Sequence, residues 1–138
     1  MIAKYNGNLR DLDGFFVPEW IRKYKHMTQP AQQVAIVLTT FGVGQATAVA
    51  RALVDERLAA CVNVLPAMTS IYRWEGAVQQ DAEEQVVIKT SNDRLAALEA
   101  RLRQLLPYEL PEFLVITADA GGEAYLKWVG VSTHPGPV

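Results

Sequence analysis

The side chains in this sequence best suited to hold a divalent cation are one cysteine, Cys61, and the carboxylates Glu75, Asp81, Glu83, Glu84, Glu109 and Glu112. A thiolate is a soft-metal ligand, and carboxylates take hard cations when several converge. Cys61, Glu75 and Glu112 are the candidate metal residues. Each feature also has a plainer reading. Cys61 lies between Ala60 and Val62, the setting of a packed strand thiol, and Asp81 to Glu84 suits a solvated face. Lys89 and Glu112 are charged residues beside apolar strand runs, as in a structural ion pair or the lining of a pocket between subunits. His26 and His134 show no ligand spacing and are expected to be solvated. The chain holds no Gly-x-Gly-x-x-Gly, P-loop or Cys-x-x-Cys motif, and Ser70 has no histidine near it in sequence to act as a base. The chain therefore reads as a non-enzyme.

Those residues belong to a chain of 138 with 50% hydrophobic and 20% charged residues, the profile of an ordinary globular domain. A net charge of −2 argues against non-specific nucleic-acid binding, which needs clustered Lys and Arg. No apolar run approaches the roughly 18 residues of a membrane span. The N-terminus carries Lys4, Arg10, Asp11 and Asp13 and no apolar signal core. One cysteine forms no internal disulfide, so a reducing cytoplasm is the expected compartment.

Three divisions are expected: an N-terminal extension over 1–33, a domain over 34–133 and a tail over 134–138. In the extension Leu12, Phe16, Trp20 and Tyr24 recur every four residues, but Gly14 and Pro18 oppose one continuous helix, leaving a short helix over 19–25. His26-Met27 matches a common cloning junction, so 1–26 reads as a fused or engineered segment, with a natural extension as the alternative. In the domain, the β-branched run 34–40 predicts a central strand, and Ala46, Val49, Ala50, Leu53 and Leu58 predict a helix over 45–58. Residues 58–76 read as one long strand ending in a turn at Glu75-Gly76, and 78–90 as its returning partner, polar in the middle and apolar at the end. Thr90, Ser91, Asn92 and Asp93 offer N-caps for a helix marked by Leu95, Leu98, Leu102 and Leu105 and stopped by Pro107. A strand over 112–117 and a short helix after Gly121-Gly122 complete the order. The result is α+β: a ferredoxin-like βαββαβ sandwich with helices on one face and an extra C-terminal helix.

The long strand outruns this domain. Residues 61–74 would extend about 45 Å at 3.3 Å per residue, whereas the helix over 45–58 covers about 21 Å. Ile71, Tyr72 and Trp74 lie in the overhang, with Tyr72 and Trp74 on one face. Leaving such side chains in water forgoes roughly 1.5–3 kcal/mol each, and an isolated ribbon is marginal. Pairing with other copies of the chain covers both the aromatics and the sheet edges, so an obligate oligomer is expected. Pro66 removes a ladder donor and marks a bulge or bend. Tyr72, Trp74 and Tyr108 then either pack an interface or line a cleft between subunits, with Lys89 and Glu112 as further cleft candidates.

The segments Leu58-Ala59-Ala60-Cys61-Val62-Asn63, Thr69-Ser70-Ile71-Tyr72-Arg73-Trp74-Glu75-Gly76, Lys89-Thr90, Pro107-Tyr108-Glu109-Leu110-Pro111-Glu112 and Tyr125-Leu126-Lys127-Trp128 resemble, in order and spacing, the CutA divalent-cation-tolerance family. The resemblance covers about residues 34–133. It implies a ferredoxin-like fold, a tight PII-like homotrimer and a link to tolerance of copper and other divalent metals. No cofactor is expected to be required; copper or another divalent cation, or a small ligand, is the expected partner besides the chain itself. The alternative is a PII-like signalling or scaffold trimer that binds a metabolite or protein partner. Some family members bind copper through a histidine just before Pro-Tyr, where this chain has Leu105 and Leu106, and some carry a cysteine where it has Thr39. Both departures weaken the carry-over of a copper site.

Overall fold

The computed structural model describes residues 33–134. The expected helix over 19–25, the His26-Met27 junction and all but the first residue of the tail lie outside the described residues. The elements are β1 (Val34–Gly42), α1 (Ala46–Asp55), β2 (Cys61–Val64), β3 (Met68–Trp74), β4 (Ala77–Ser91), α2 (Leu95–Leu105), β5 (Leu114–Thr117) and α3 (Glu123–Ser132). All pairings are antiparallel, in the order β2-β4-β1-β5, with β3 also on β4. This is the expected α+β order with its C-terminal helix.

The single long strand is in fact two. The chain leaves the ladder between Val64 and Met68, around Pro66, and both halves pair with the unbroken β4. Pro66 has no N–H to donate, which accounts for the interruption; Leu65 still donates to the Gln85 carbonyl at 2.9 Å. The length mismatch remains. β4 has 15 residues and α1 has 10, about 50 Å against about 15 Å. The hairpin closes through Glu75 and Gly76, both at positive φ (49° and 80°), the signature of a type I′ turn whose twist matches that of the strands.

α1 and α2 pack on one face of the sheet. Phe41, Leu53, Ile88 and Leu98 are fully buried there, each contributing roughly 1.5–3 kcal/mol through removal from water. α3 departs from the expected one-sided arrangement. It packs Leu126 and Val129 against Val34 and Ala60, and Thr133 pairs with Ser91 at 2.5 Å. Val34 and Ser91 share, by register, the face of Ile36 and Lys89, so α3 closes one end of the opposite face. Ser91 is thereby taken from its expected capping role: a 3-10 turn over Asn92–Arg94 leads into α2, with no side-chain cap bond.

His134 is not simply solvated. Its Nδ1 lies 2.6 Å from the Gly130 carbonyl and its Nε2 2.7 Å from Asp93 Oδ2. Both partners are acceptors, so only the doubly protonated ring satisfies both. The Gly130 carbonyl first, and the Asp93 carboxylate second, raise its pKa above 6.5, while nearby Arg94 opposes them. Arg57 Nη1 donates to the His134 carbonyl at 3.2 Å.

Two outcomes follow from this packing. Thr39 is fully buried and, among the described residues, its hydroxyl has no partner. Thr39→Val should raise the unfolding free energy by about 1 kcal/mol, read by chemical denaturation, because a buried unpaired hydroxyl is costly. The stabilisation from His134 should be complete below pH 6.5, the ordinary value, and fade as pH rises through the raised one. His134→Gln should flatten that slope in denaturation curves taken across the range.

Candidate ligand cleft

Alternation along β4 sorts its side chains between two environments. Val86, Ile88 and Thr90 are buried, with Val86 and Ile88 in the core under α1 and α2. Asp81, Glu83, Gln85, Val87 and Lys89 take the other face. Their cross-strand partners join them there: Ser70 and Met68 from β3, Thr40, Leu38 and Ile36 from β1, and Asn63 and Cys61 from β2. Leu114 and Ile116 of β5 pair with Leu38 and Ile36 and extend this face to the sheet edge.

One open cleft of about 860 Å³ lies where the β3-β4 hairpin meets the segment after α2. Pro107 stops α2, and residues 107–112 pass over the hairpin base before β5 begins. The lining includes Tyr72 and Trp74 from β3, Asp81, Glu83 and Gln85 from β4, and Tyr108, Glu109 and Glu112 from the segment. Tyr72 donates its hydroxyl to Asp81. That bond, with the negative charge of Asp81 and Glu83, pushes the Tyr72 pKa above 10.0. Tyr108 is raised as well, first by partial burial and then by the charge of Glu83. Glu112 Oε2 accepts from Gln85 Nε2 at 3.0 Å, and the same amide donates to the Thr39 carbonyl at 2.7 Å. The Gln85 side chain thus ties Glu112 to the sheet.

Four of the expected cleft residues, Tyr72, Trp74, Tyr108 and Glu112, come together here; Lys89 does not. Its ammonium donates to Asn63 and lies 3.9 Å from Cys61 Sγ. Within one chain Lys89 and Glu112 form no ion pair, because Glu112 meets Gln85, about 13 Å along β4 from Lys89. The metal candidates separate further. Cys61 pairs opposite Lys89, whereas Glu75 sits past Ala77 at the hairpin tip, about 40 Å away along the strand. Among the described residues, no three His, Cys, Asp or Glu side chains are grouped to hold a metal ion. The Lys89 ammonium beside the sulfur also repels a second cation. Leu106, one of the two positions before Pro107, is buried in the core.

Asp81 is exposed, as expected of a solvated run, and Glu83 half-buried; both also face the tyrosines of the cleft. Glu84, on the opposite face, accepts from the Gly44 N–H in the turn before α1. Period-two alternation from Val86 would have separated these residues. Gln85, the polar residue that begins the apolar end of the strand, was the other signal missed.

The family model described as CutA1 divalent ion tolerance protein matches residues 34–132. A divalent-cation tolerance protein CutA from Thermus thermophilus is 40% identical over 98 residues, covering 71% of this chain and 95% of that protein. A protein CutA homolog from Xenopus laevis is 45% identical over 82 residues, 59% of this chain and 54% of the homolog, so this chain spans about half that relative's length. A solved structure described as PII-like protein CutA, from a Nostoc species, is similar with a TM-score of 0.69 at 39% identity, covering 72% of this chain and 97% of that one.

The paired tyrosine and carboxylate give a spectroscopic handle. In an ultraviolet pH titration, Tyr72 and Tyr108 should ionise above the ordinary 10.0. Asp81→Asn should bring Tyr72 back toward that value and move Tyr108 less, because burial acts first on Tyr108. An unmoved Tyr72 in that variant would refute the hydrogen bond as the main cause.

Proposed function

This chain belongs to the CutA1 divalent ion tolerance protein family, and on that premise we propose that it acts as a homotrimer. Its subunit clefts bind a divalent metal ion or a small ligand weakly, in the tolerance of or response to copper and other divalent metals. It works by binding, without catalysis, in the cytoplasm.

The observation that carries the assembly is a pair of unlike free sheet edges. Among the described residues, β2 and β3 pair only with β4, and β5 pairs only with β1. Unlike edges join head to tail, and a closing rotation turns such contacts into a ring. Exposed Ile71 and Val78 on the hairpin and Leu114, Val115 and Ile116 on β5 form the kind of apolar surface that marks an interface. The number three rests on the family resemblance. Joining subunits this way would also allow metal binding by ligands from two chains, since the described residues of one chain group no three such ligands.

One observation favours the second reading, a PII-like signalling or scaffold trimer. The cleft, at about 860 Å³, lies within the roughly 300–1,000 Å³ of small-molecule sites and far exceeds a bare ion. The Nostoc relative's description as PII-like supports the same reading.

Sedimentation at micromolar concentration should give a trimer. Trp74→Ala should weaken assembly by about 2 kcal/mol, as aromatic anchors do, before it alters circular dichroism. Calorimetric titration with copper and zinc should give saturable binding that weakens in Glu112→Gln. A stable folded monomer overturns the assembly; metal heats without saturation favour the second reading.

A further inference from the structure

We infer that the cleft between the β3-β4 hairpin and residues 107–112 takes a small organic cation, an ammonium or guanidinium compound, held between the aromatic rings and the carboxylates. The inference rests on the cleft being a ligand site and names the chemistry of its ligand.

The first support is aromatic. Tyr72 and Trp74 stand two residues apart on one strand face, and Tyr108 comes from the crossing segment; all three line the cleft. Tyr72 and Tyr108 are close enough to share the influence of Asp81 and Glu83. Aromatic faces attract a cation within about 6 Å, most strongly when it is weakly hydrated, and ammonium and guanidinium groups are the usual partners.

The second support is charge. Four carboxylates line the cleft against one cationic side chain, Arg73. The ion pairs found among the described residues, Arg101–Glu56, Arg103–Glu99 and His134–Asp93, all lie elsewhere. An anion would meet net repulsion here. A neutral ligand would leave the negative field unused.

Shape separates an organic cation from a bare metal ion. A hard divalent ion needs several oxygens converging at about 2.0–2.6 Å, and no such group of three exists among the described residues. The carboxylates instead sit on different walls, with Asp81 bonded to Tyr72 and Glu112 to Gln85. A cation of several heavy atoms spans such walls and needs only one carboxylate near its charge. Both tyrosines are neutral around pH 7, as any phenol is, so their hydroxyls are donors and their rings are uncharged.

The test uses the full chain, with calorimetric titrations of choline, arginine, citrate and copper chloride. Choline and arginine should bind saturably, and citrate should not. Glu83→Gln and Asp81→Asn should each weaken both cations by about tenfold, with assembly checked by sedimentation. Tyr108→Phe, which removes only the hydroxyl, should leave choline binding within about twofold, because the ring supplies the attraction. Copper binding that weakens in these variants, with no choline or arginine binding, overturns this inference and leaves the proposed metal role standing. Citrate binding, or organic-cation binding indifferent to both carboxylate variants, overturns it too. No binding by any of the four overturns it together with the ligand-site reading of the cleft.

Discussion

Every strand except β5 hydrogen-bonds to β4, and the rest of the structure depends on that one strand staying straight and in register. β4 pairs with β1 along its inner part, with β2 beside Lys89 to Val86 and with β3 from Glu83 to Ala77. The covering chain breaks at Pro66, yet β4 runs through unbroken. Because its side chains alternate, a slip of one residue would exchange Val86 and Ile88 for Gln85 and Val87 in the core and withdraw Asp81 and Glu83 from the cleft. Core and cleft are two faces of one register. The apolar end of β4 fixes that register, since burying Val86 and Ile88 is worth several kcal/mol, and the polar end inherits it.

That inheritance explains what the sequence made legible. Strand and helix order follows from periods of 2 and 3.6, and Pro66, Pro107 and the Glu75-Gly76 turn announce themselves through backbone chemistry. Tyr72 and Trp74 share a face because they are two apart on a strand, a local fact. The cleft as a whole is not local. It needs β3 registered on β4, and it needs the segment after Pro107 to cross that hairpin. Neither fact is written in any one window of sequence. The same limit separated Lys89 from Glu112: each is a charge beside apolar strand residues, but only pairing shows that their neighbours are Asn63 and Gln85. The side taken by α3 was also hidden, because Leu126 and Val129 state that the helix has an apolar stripe without stating which face of the sheet receives it.

The hairpin beyond the helices raises a separate question of stability. Ile71 and Val78 lie on its far face and Tyr72 and Trp74 on its near face, so the ribbon carries apolar side chains on both sides. A two-stranded ribbon of this kind is marginal alone. Here it is continuous with the sheet through β4, which supplies order at its base but no cover at its tip. In the proposed assembly the tip would gain its cover from a neighbouring subunit, as would the free edge of β5, whose Leu114 and Ile116 share the sheet face of Tyr72 and Trp74. The proposed ligand binding and the proposed assembly would thus be coupled by position: a ligand that orders Tyr72 and Trp74 would stiffen the same ribbon that would reach the neighbour.

Positions 39 and 106 show what the core asks of a residue. Thr39 and Leu106 are buried on the side of the sheet under α1 and α2, where volume and apolar character matter most. Leucine suits that environment better than histidine, whose ring nitrogens need partners when buried. Thr39 keeps one polar atom in the core, and that atom has no partner among the described residues. Packing therefore accounts for Leu106 directly but not for Thr39. In contrast, Asp81, Glu83 and Tyr108 hold charges and hydroxyls at a wet cleft rim, where no packing demand requires them. The cleft rim, unlike these buried positions, carries polar side chains that core packing does not dictate, which suits the ligand role proposed for it.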